Sequence, residues 1–404
     1  MKALRICISL TTCVVCAFLI ACGGGSSSST NPIAPVTTNV AAISVDGGPL
    51  GDYPDAAFAS VTVCVPGTSN CQTVDGVLVD TGSFGLRILS SALTTVSLTQ
   101  QTDTSGNPVA ECFVFLDSYT WGPVQTADVE IAGEKASSTP IQVLSDTDFI
   151  APSSCTSSGF GSADTLETLG ANGILGVGLA AQDCGNPCPA SFDQYYGCPS
   201  STGCQPIEQP LTQQVVNPVA LFAKDNNGVI VELPAVSSGG ESSVSGSLVF
   251  GIGTQSNNGL GSATVYTAPE GSLTTTYNGT AYPESFIDSG SNGYFFLDSA
   301  LTGLTNCGNS SDAPGFYCPG STTSFTATNQ GSGAASGAVK FSIANAETLF
   351  ASQNNFALGD LGGVSSNAPP YFFDWGLPFF FGQNVFVAIE GASTPGGTGP
   401  YWAY

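Results

Sequence analysis

Apolar residues along the chain come in short runs, and long amphipathic helical patterns are hard to find. The runs Val77-Leu78-Val79 and Phe286-Ile287 each end at a carboxylate, which a hydroxyl residue and a glycine follow. Such runs predict buried strands that break into tight turns. The composition also favours β-structure, because the chain has 50 glycines, 25 prolines and 24 phenylalanines but only one methionine. We therefore expect an all-β protein with few short helices.

One apolar run differs from the others because it lies at the N-terminus. The run Ile6–Ala21 follows two basic residues, Lys2 and Arg5. It predicts a signal peptide over residues 1–21, too short and too poorly flanked for a spanning helix. The run ends in Leu19-Ile20-Ala21-Cys22, which matches the lipobox of bacterial lipoproteins, whose cysteine is acylated and becomes the new N-terminus. The alternative is an ordinary signal peptide with a chance cysteine.

The residues after the lipobox predict the location and the domain organisation. Gly23 replaces the aspartate that retains Gram-negative lipoproteins in the inner membrane. We therefore expect an exported protein of the bacterial cell envelope, lipid-anchored through Cys22, at the periplasmic or surface face of the outer membrane. Residues 22–43 are rich in Gly, Ser and Pro and predict a flexible linker. The rest is too long for one ordinary core, so we expect two lobes, residues 44–212 and 213–404.

The cysteines predict disulfide bonds. Of 14 cysteines, three leave with the signal peptide and Cys22 carries lipid, so ten (14 − 4) remain. An even number in an exported chain is typical of disulfides, and the shortest closures are Cys64 with Cys71 and Cys307 with Cys318. A zinc cluster in the segment 184–204 is the alternative, which the absence of histidine disfavours, so we expect no metal and no cofactor. The ten disulfide candidates are Cys64, Cys71, Cys112, Cys155, Cys184, Cys188, Cys198, Cys204, Cys307 and Cys318.

Charge and the missing histidines exclude several classes of function. Without the leader the chain has 30 acidic residues and four basic ones, a formal net charge of −26 (4 − 30). This charge repels phosphate backbones, so we expect no nucleic-acid partner. The negative charge either keeps an exported protein soluble or indicates that the protein works in acid, where its carboxylates are partly neutral. With no histidine, Ser-His-Asp and Cys-His machinery is excluded, which leaves carboxylates for hydrolysis.

Two copies of one constellation indicate an internal duplication. The first is Asp80-Thr81-Gly82-Ser83 and the second is Asp288-Ser289-Gly290-Ser291. A glycine after an apolar segment follows each of them at a similar distance, Gly176 in one case and Gly376 in the other. Such a repeat predicts two lobes related by an approximate two-fold axis. The alternative is a pair of capped turns in an unrelated β-sandwich.

This layout resembles the pepsin family of aspartic peptidases from about residue 55 to the C-terminus. More closely, it resembles a family of bacterial lipoprotein-like proteins of uncharacterised function that are distant relatives of pepsin. The resemblance implies a bilobal double β-barrel with pseudo-two-fold symmetry. It also implies that Asp80 and Asp288 are catalytic, that Gly176 and Gly376 let each loop thread past a neighbouring strand, and that six residues support the two carboxylates: Thr81, Gly82, Ser83, Ser289, Gly290 and Ser291.

Two further positions depart from the family or stay open. Enzymes of the pepsin family cover the cleft with a hairpin flap that bears a tyrosine, and in the corresponding segment Tyr119 or Trp121 is the nearest candidate. The glycine pattern of the flap is absent, and the two residues are otherwise aromatic strand residues that pack on the lobe. Arg87, just past the first loop, either braces that loop or pairs with a surface acid.

The chemistry follows from two facing carboxylates. A pair that shares one proton supplies both a base and an acid for a bound water molecule. We therefore predict a monomeric, membrane-anchored aspartic endopeptidase that acts on polypeptide in the cleft between the lobes. One alternative is a non-catalytic binding protein of the same fold, for envelope peptide or glycan. A carboxylate-based glycosidase is another, which the duplicated loops do not suggest.

Overall fold

The structure is a computed structural model that describes residues 38–145, 149–157, 159–185, 187–352, 354–365, 369 and 371–404. All of these residues belong to one compact unit, Asn31–Tyr404. The predicted signal peptide, the lipidation residue Cys22 and the first part of the predicted linker lie outside the described residues.

Strands dominate the described part of the chain. Those that precede residue 213 are β1 (Val40–Val45), β2 (Phe58–Cys64), β3 (Cys71–Asp80), β4 (Phe84–Leu89), β5 (Thr99–Gln100), β6 (Val109–Val114), β7 (Ser118–Ile131), β8 (Glu134–Leu144), β9 (Gly161–Ser162), β10 (Gly173–Val177), β11 (Tyr195–Gly197) and β12 (Gln205–Pro206). Those that follow are β13 (Gly228–Glu232), β14 (Val244–Phe250), β15 (Val265–Thr267), β16 (Leu273–Tyr277), β17 (Thr280–Ile287), β18 (Tyr294–Phe296), β19 (Thr323–Gln330), β20 (Ser336–Ile343), β21 (Gly362–Val364), β22 (Asp374–Trp375), β23 (Asn384–Ala388), β24 (Ser393–Thr394), β25 (Gly397–Thr398) and β26 (Tyr401–Ala403).

Helices are short, as the sequence predicts. The helices Leu166–Leu169 and Ser299–Thr302, for example, end at Gly170 and Gly303, which are both in the left-handed conformation. The α-helices are α1 (Ser153–Thr156), α2 (Leu166–Leu169), α3 (Ser299–Thr302) and α4 (Ala346–Ala351). Turns of 3₁₀ helix cover Ser90–Ala92, Ala190–Phe192, Leu211–Gln213, Pro218–Leu221 and Leu377–Phe380. Within the described residues, no helix is long and apolar enough to cross a membrane.

Each half of the chain places one strand of the repeated constellation between two neighbours. In the first half, β3 pairs antiparallel with β2 and parallel with β10, which in turn pairs antiparallel with β4. In the second half, β17 pairs antiparallel with β16 and parallel with β22, which pairs antiparallel with β18. The two halves therefore repeat the same local arrangement around the end of one strand.

A sheet that contains strands of both halves joins them. Strand β1 pairs with β14 over all six of its residues, from Val40 opposite Val249 to Val45 opposite Val244. It also touches β2 through the pair Ser44 and Phe58. Beyond β14 the sheet continues through β13, β23, β26 and β15. Residues 40–43, the end of the predicted linker, are thus part of this sheet.

The core and five disulfides hold the strands together. Alternate side chains of the strands are buried in one large cluster of apolar residues that extends through both halves, for example Val79 and Ile287. The disulfides join Cys64 to Cys71, Cys112 to Cys155, Cys184 to Cys188, Cys198 to Cys204, and Cys307 to Cys318. All ten predicted cysteines take part. Because the four cysteines of segment 184–204 are bonded in pairs, they do not form a zinc site.

Candidate active site

Two strands deliver the repeated loops to the centre of the molecule. Strand β3 ends at Asp80, and β17 ends at Ile287, one residue before Asp288. The parallel neighbours β10 and β22 run past these ends. Added methyl groups on Gly176 and Gly376 would lie 2.6 Å from the backbone nitrogen of Phe84 and 2.1 Å from the carbonyl oxygen of Gly293, respectively. Glycine is therefore required where each loop threads past its neighbour.

Buried hydrogen bonds tie the two loops to each other. The backbone N–H of Thr81 donates to Oγ of Ser289 at 3.1 Å, and the backbone N–H of Ser289 donates to Oγ1 of Thr81 at 2.9 Å. Each hydroxyl in turn donates to a carbonyl of the opposite strand, that of Ile287 at 3.2 Å and that of Val79 at 2.7 Å. Four hydrogen bonds with approximate two-fold symmetry thus fix the loops relative to one another.

Each carboxylate is held by its own loop. Oδ1 of Asp80 accepts the backbone N–H of Gly82 at 2.8 Å, and Oδ2 accepts the hydroxyl of Ser83 at 2.5 Å. Oδ1 of Asp288 accepts the backbone N–H of Gly290 at 2.7 Å, and Oδ2 lies 3.1 Å from Oγ of Ser291. Hydrogen bonds of this kind orient a carboxylate and favour its charged form.

The two carboxyl groups face each other across the glycines of the loops. An added methyl group on Gly82 would lie 2.4 Å from Cγ of Asp288, and one on Gly290 would lie 2.6 Å from Oδ1 of Asp80. Asp80 is 5% exposed, whereas Asp288 and Gly82 are open to solvent to a larger extent. A water molecule can therefore reach the pair, which is otherwise enclosed.

Electrostatics favours a proton on this pair. Burial raises the pKa of Asp288 well above the ordinary value of an aspartate, and the neighbouring charges of Asp80 and Asp374 raise it further. Two facing acids do not both ionise easily, so the pair titrates in two separated steps. Over an acidic range the pair then carries one proton and one negative charge.

A third acid, Asp374, lies beside the second loop, and no functional role is predicted for it from sequence. It is 3% exposed, and its Oδ2 lies 2.6 Å from Oγ of Ser291, the same hydroxyl that contacts Asp288. The sequence marks it by an acidic residue where the repeat has an apolar one. Ile174 lies two residues before Gly176 in the first half, and Asp374 lies two residues before Gly376 in the second half. In the part of the chain that the structure describes, no group of three or more His, Cys, Asp or Glu side chains forms a metal site.

Comparison with known proteins gives the family. The family described as "Protein of unknown function (DUF3443)" matches residues 35–404. The chain belongs to this family. The curated proteins contain no match to the sequence.

A solved structure gives the fold of this DUF3443 protein. The crystal structure of the aspartic proteinase from Irpex lacteus resembles it with a TM-score of 0.51 and 13% sequence identity, over 90% of this chain and 96% of the other. At such an identity the likeness shows the fold alone. The DUF3443 protein therefore has the two-lobed, pepsin-like fold of β-barrels that the sequence predicts. The lipoprotein-like relationship inferred from the sequence stays a prediction.

The hairpin of β6 and β7 is the segment in which the resemblance to the pepsin family places the flap, and Asp117 near its tip lies within electrostatic reach of Asp374. The backbone N–H of Phe115 donates to the carbonyl of Ser118 at 2.8 Å, which closes the turn and leaves Asp117 at the tip. Burial raises the pKa of Tyr53 to about 12, and the charges of Asp117, Asp80 and Asp288 add to the rise. Tyr53 therefore lies within electrostatic reach of both the hairpin tip and the acid pair.

Neither aromatic residue proposed for the flap is placed like Tyr53. Trp121 is buried, its ring packs edge-on against Tyr196 at a centroid distance of 5.3 Å, and its Nε1–H donates to the carbonyl of Phe149 at 2.9 Å. Tyr119 is half-buried on the strand next to Ser162. Packing within the lobe, the second role considered for these residues, describes the position of Trp121. Sequence alone does not mark Tyr53, since it lies in an isolated bridge with Gly47, far from the hairpin along the chain.

Arg87 belongs to a buried ion cluster behind the first loop. Its Nη2 lies 3.0 Å from Oε1 of Glu111 and 3.0 Å from Oδ2 of Asp183, and all three side chains are fully buried. Its Nη1 donates to the carbonyl of Phe84 at 2.7 Å, directly after the loop that ends in Ser83. The expectation of a surface partner is therefore wrong, because both acids lie inside the lobe. The contact with Phe84 agrees with the other expectation, a brace for the loop.

Proposed function

We propose that this protein is an aspartic endopeptidase that hydrolyses extended peptide segments with water activated between Asp80 and Asp288. The observation that carries the proposal is that the carboxyl groups of the two loops face each other. Each loop glycine lies against the carboxyl group of the opposite loop, so that no side chain separates the two acids. The four hydrogen bonds between Thr81 and Ser289 and the opposite strands support a fixed distance between them.

The chemistry needs one proton and one charge on the pair. The charged carboxylate takes a proton from water as the water attacks the peptide carbonyl, and the protonated carboxyl stabilises the developing oxyanion. The proton then passes to the leaving nitrogen. The raised pKa of Asp288, caused first by burial and then by Asp80, supports this state in acid. No cofactor enters the reaction.

The location and partners are part of the proposal. A polypeptide lies in the cleft between the lobes, and the protein acts as a monomer. Five disulfides are typical of proteins that fold in an oxidising, exported environment. The sequence Leu19-Ile20-Ala21-Cys22 supports attachment to the outer membrane through a lipid on Cys22.

Cleavage of denatured protein tests the proposal. Purified protein is incubated with an unfolded substrate between pH 3 and 7, with and without a statine-type transition-state mimic. We expect cleavage in acid that the mimic inhibits and that Asp80→Asn and Asp288→Asn each abolish. Asp312→Asn, an exposed aspartate away from the site, is the matched control and retains the rate. Cleavage that survives both site substitutions contradicts the proposal.

A second candidate is a non-catalytic binding protein of the same fold, for envelope peptide or glycan. The hairpin favours it, because Trp121 packs within the lobe and an acid, Asp117, occupies the tip. In this case the folded wild-type protein binds peptide tightly without turnover at every pH. The same incubation therefore separates the two candidates, provided that peptide binding is measured in parallel.

A further inference from the structure

Asp374 occupies a position that the packing of its strand does not require to be acidic. Strand β22 runs parallel to β17, with Asp374 opposite Phe286, just as Ile174 of β10 lies opposite Leu78 of β3. Asp374 and Ile174 are 3% and 4% exposed, respectively. The first lobe thus shows that isoleucine fills this place. A buried carboxyl is less stable there than an aliphatic side chain unless it has a partner.

The contacts of Asp374 form a bridge to the acid pair. Oγ of Ser291 lies 2.6 Å from Oδ2 of Asp374 and 3.1 Å from Oδ2 of Asp288. A hydroxyl has one hydrogen, so both contacts are hydrogen bonds only when one of the two carboxyls carries a proton and donates it to the hydroxyl. Oδ1 of Asp374 is buried without a hydrogen-bond partner. In the sister loop, the hydroxyl of Ser83 donates to Asp80 at 2.5 Å, and isoleucine stands in place of a third acid.

The charged groups around Asp374 are acids. They are Asp80 at the end of β3, Asp117 at the hairpin tip and Asp288 after β17. Burial raises the pKa of Asp374 well above its ordinary value, and the charges of Asp80 and Asp117 add to the rise, although the hydrogen bond from Ser291 opposes it. Among the described residues, no lysine or arginine forms an ion pair with Asp374, so a proton is the means left to neutralise its charge.

We propose that Asp374 is a third carboxyl of the site, which shares protons with Asp288 through the Ser291 hydroxyl. The three carboxyls Asp80, Asp288 and Asp374 then retain their last proton to higher pH than the pair Asp80 and Asp288 alone. Asp374 does not touch the reacting atoms, so it is a positioning residue for the proton. The part of this inference that concerns reaction rate rests on the proposed endopeptidase activity.

The direction of the effect follows from charge counting. In the wild-type protein the last proton leaves a site that already holds two negative charges. In Asp374→Asn the last proton leaves a site with one charge, so it leaves at lower pH. Asparagine keeps the shape and donates a hydrogen bond to Ser291, but it does not ionise. A charge about 4–6 Å away shifts such a titration by roughly two to three pH units at an effective dielectric constant of about 20.

The first test is the pH dependence of kcat/KM on a denatured protein substrate. We expect the alkaline limb of Asp374→Asn to move toward acid by roughly two to three pH units. Asp374→Ile, which copies Ile174, removes the same charge and provides a second variant if asparagine impairs folding. Asp360→Asn, a partly buried acid of the same lobe, is the matched control and leaves the limb in place. An unchanged limb in both Asp374 variants overturns the inference while the proposed function stands.

The second test does not depend on activity. Carbon-13 NMR of the full chain with labelled aspartate carboxyls follows the titration of Asp288, which Asp288→Asn identifies. We expect Asp374→Asn to lower the pH at which this carboxyl ionises. That result supports proton sharing even if the wild-type protein cleaves nothing, in which case only the proposed function fails. An Asp288 titration that is identical in both proteins overturns the inference.

Discussion

Thr81 and Ser289 exchange hydrogen bonds across the centre of the molecule, although 208 residues separate them in the chain. The backbone N–H of each donates to the hydroxyl of the other, at 3.1 and 2.9 Å, and both residues are buried. Neither loop has this geometry by itself, since each hydroxyl satisfies a backbone group of the opposite lobe. The relative position of Asp80 and Asp288 is therefore a property of the assembled lobes.

Removal of either hydroxyl should destabilise the protein. Thr81→Val and Ser289→Ala each leave a buried backbone N–H without an acceptor, which costs about 1–3 kcal/mol in the free energy of unfolding. Because the two residues share one network, the double variant should lose less than the sum of the single losses. Urea denaturation measures all three. Strictly additive losses contradict a shared network. Thr62→Val, at an exposed Thr62–Thr73 contact, is the control and should change stability by no more than about 0.5 kcal/mol.

The glycine of the first loop should be essential for activity. In Gly82→Ala the new methyl group meets Cγ of Asp288 at 2.4 Å, so one of the two carboxyls has to move. A displacement of about 1 Å in a catalytic group lowers the rate by about 10²-fold. We therefore expect a loss of cleavage of at least this order in a protein that still folds, as circular dichroism will show. Gly259→Ala, where the methyl group meets nothing within 4 Å, should retain full activity.

The repeated loops could be predicted from sequence because their signal is local. A carboxylate, a hydroxyl residue and a glycine at the end of an apolar strand form a short sequence motif. Its second occurrence, around Asp288, indicates the duplication. The threading glycines Gly176 and Gly376 followed from the same repeat. The cysteines were equally informative, since their number and spacing predicted disulfides that the fold contains.

The features that sequence did not predict depend on contacts between distant residues. Arg87 meets Asp183 at a separation of 96 residues, so nothing in the neighbouring sequence shows that its partners are buried. Sequence did not reveal that strand β1 starts within the predicted linker. Its partner, β14, lies about 200 residues away, and a short Val-Ala-Ala-Ile segment has no strong pattern alone. In the sequence Asp374 is one acidic residue among many, and only the position of β22 in the fold shows that it lies beside Ser291.

The buried ion cluster should make Arg87 important for stability. In Arg87→Met, Glu111 and Asp183 remain buried without their cation, and breaking a buried ion pair costs about 3–5 kcal/mol. The loss should be larger at pH 7 than at pH 4, because burial raises the pKa of Asp183 well above its ordinary value and protonation in acid removes its charge. Urea denaturation at both pH values measures it. The control is Lys135→Met, which removes a partly exposed cation and should have a much smaller effect. Similar losses for both variants contradict the role of the buried cluster.

Asp55 links the two lobes through two buried hydrogen bonds. Its backbone N–H donates to the carbonyl of Phe356 at 2.7 Å, and its Oδ1 accepts the N–H of Leu358 at 2.6 Å. Its other oxygen, Oδ2, is buried without a partner. Burial raises the pKa of Asp55 well above its ordinary value, and the hydrogen bond from Leu358 only partly opposes the rise.

A raised pKa in the folded state means that folding binds a proton. The stabilisation by Asp55 is then complete below the pKa of the unfolded chain, about 4, and is lost as pH rises through the higher pKa of the folded state. Asp55→Asn mimics the protonated form, so its free energy of unfolding should fall less between pH 4 and 7. At pH 7 it should exceed that of the wild-type protein, because asparagine does not have to ionise in this buried place. Urea denaturation at pH 4, 5.5 and 7 measures the difference. Subtracting the wild-type free energy of unfolding from that of the variant at each pH removes the general repulsion among the acidic groups, which both proteins share. Asp312→Asn, an exposed aspartate, should give a curve parallel to that of the wild-type protein. A parallel curve for Asp55→Asn as well would show that Asp55 ionises in the folded state as it does in the unfolded chain.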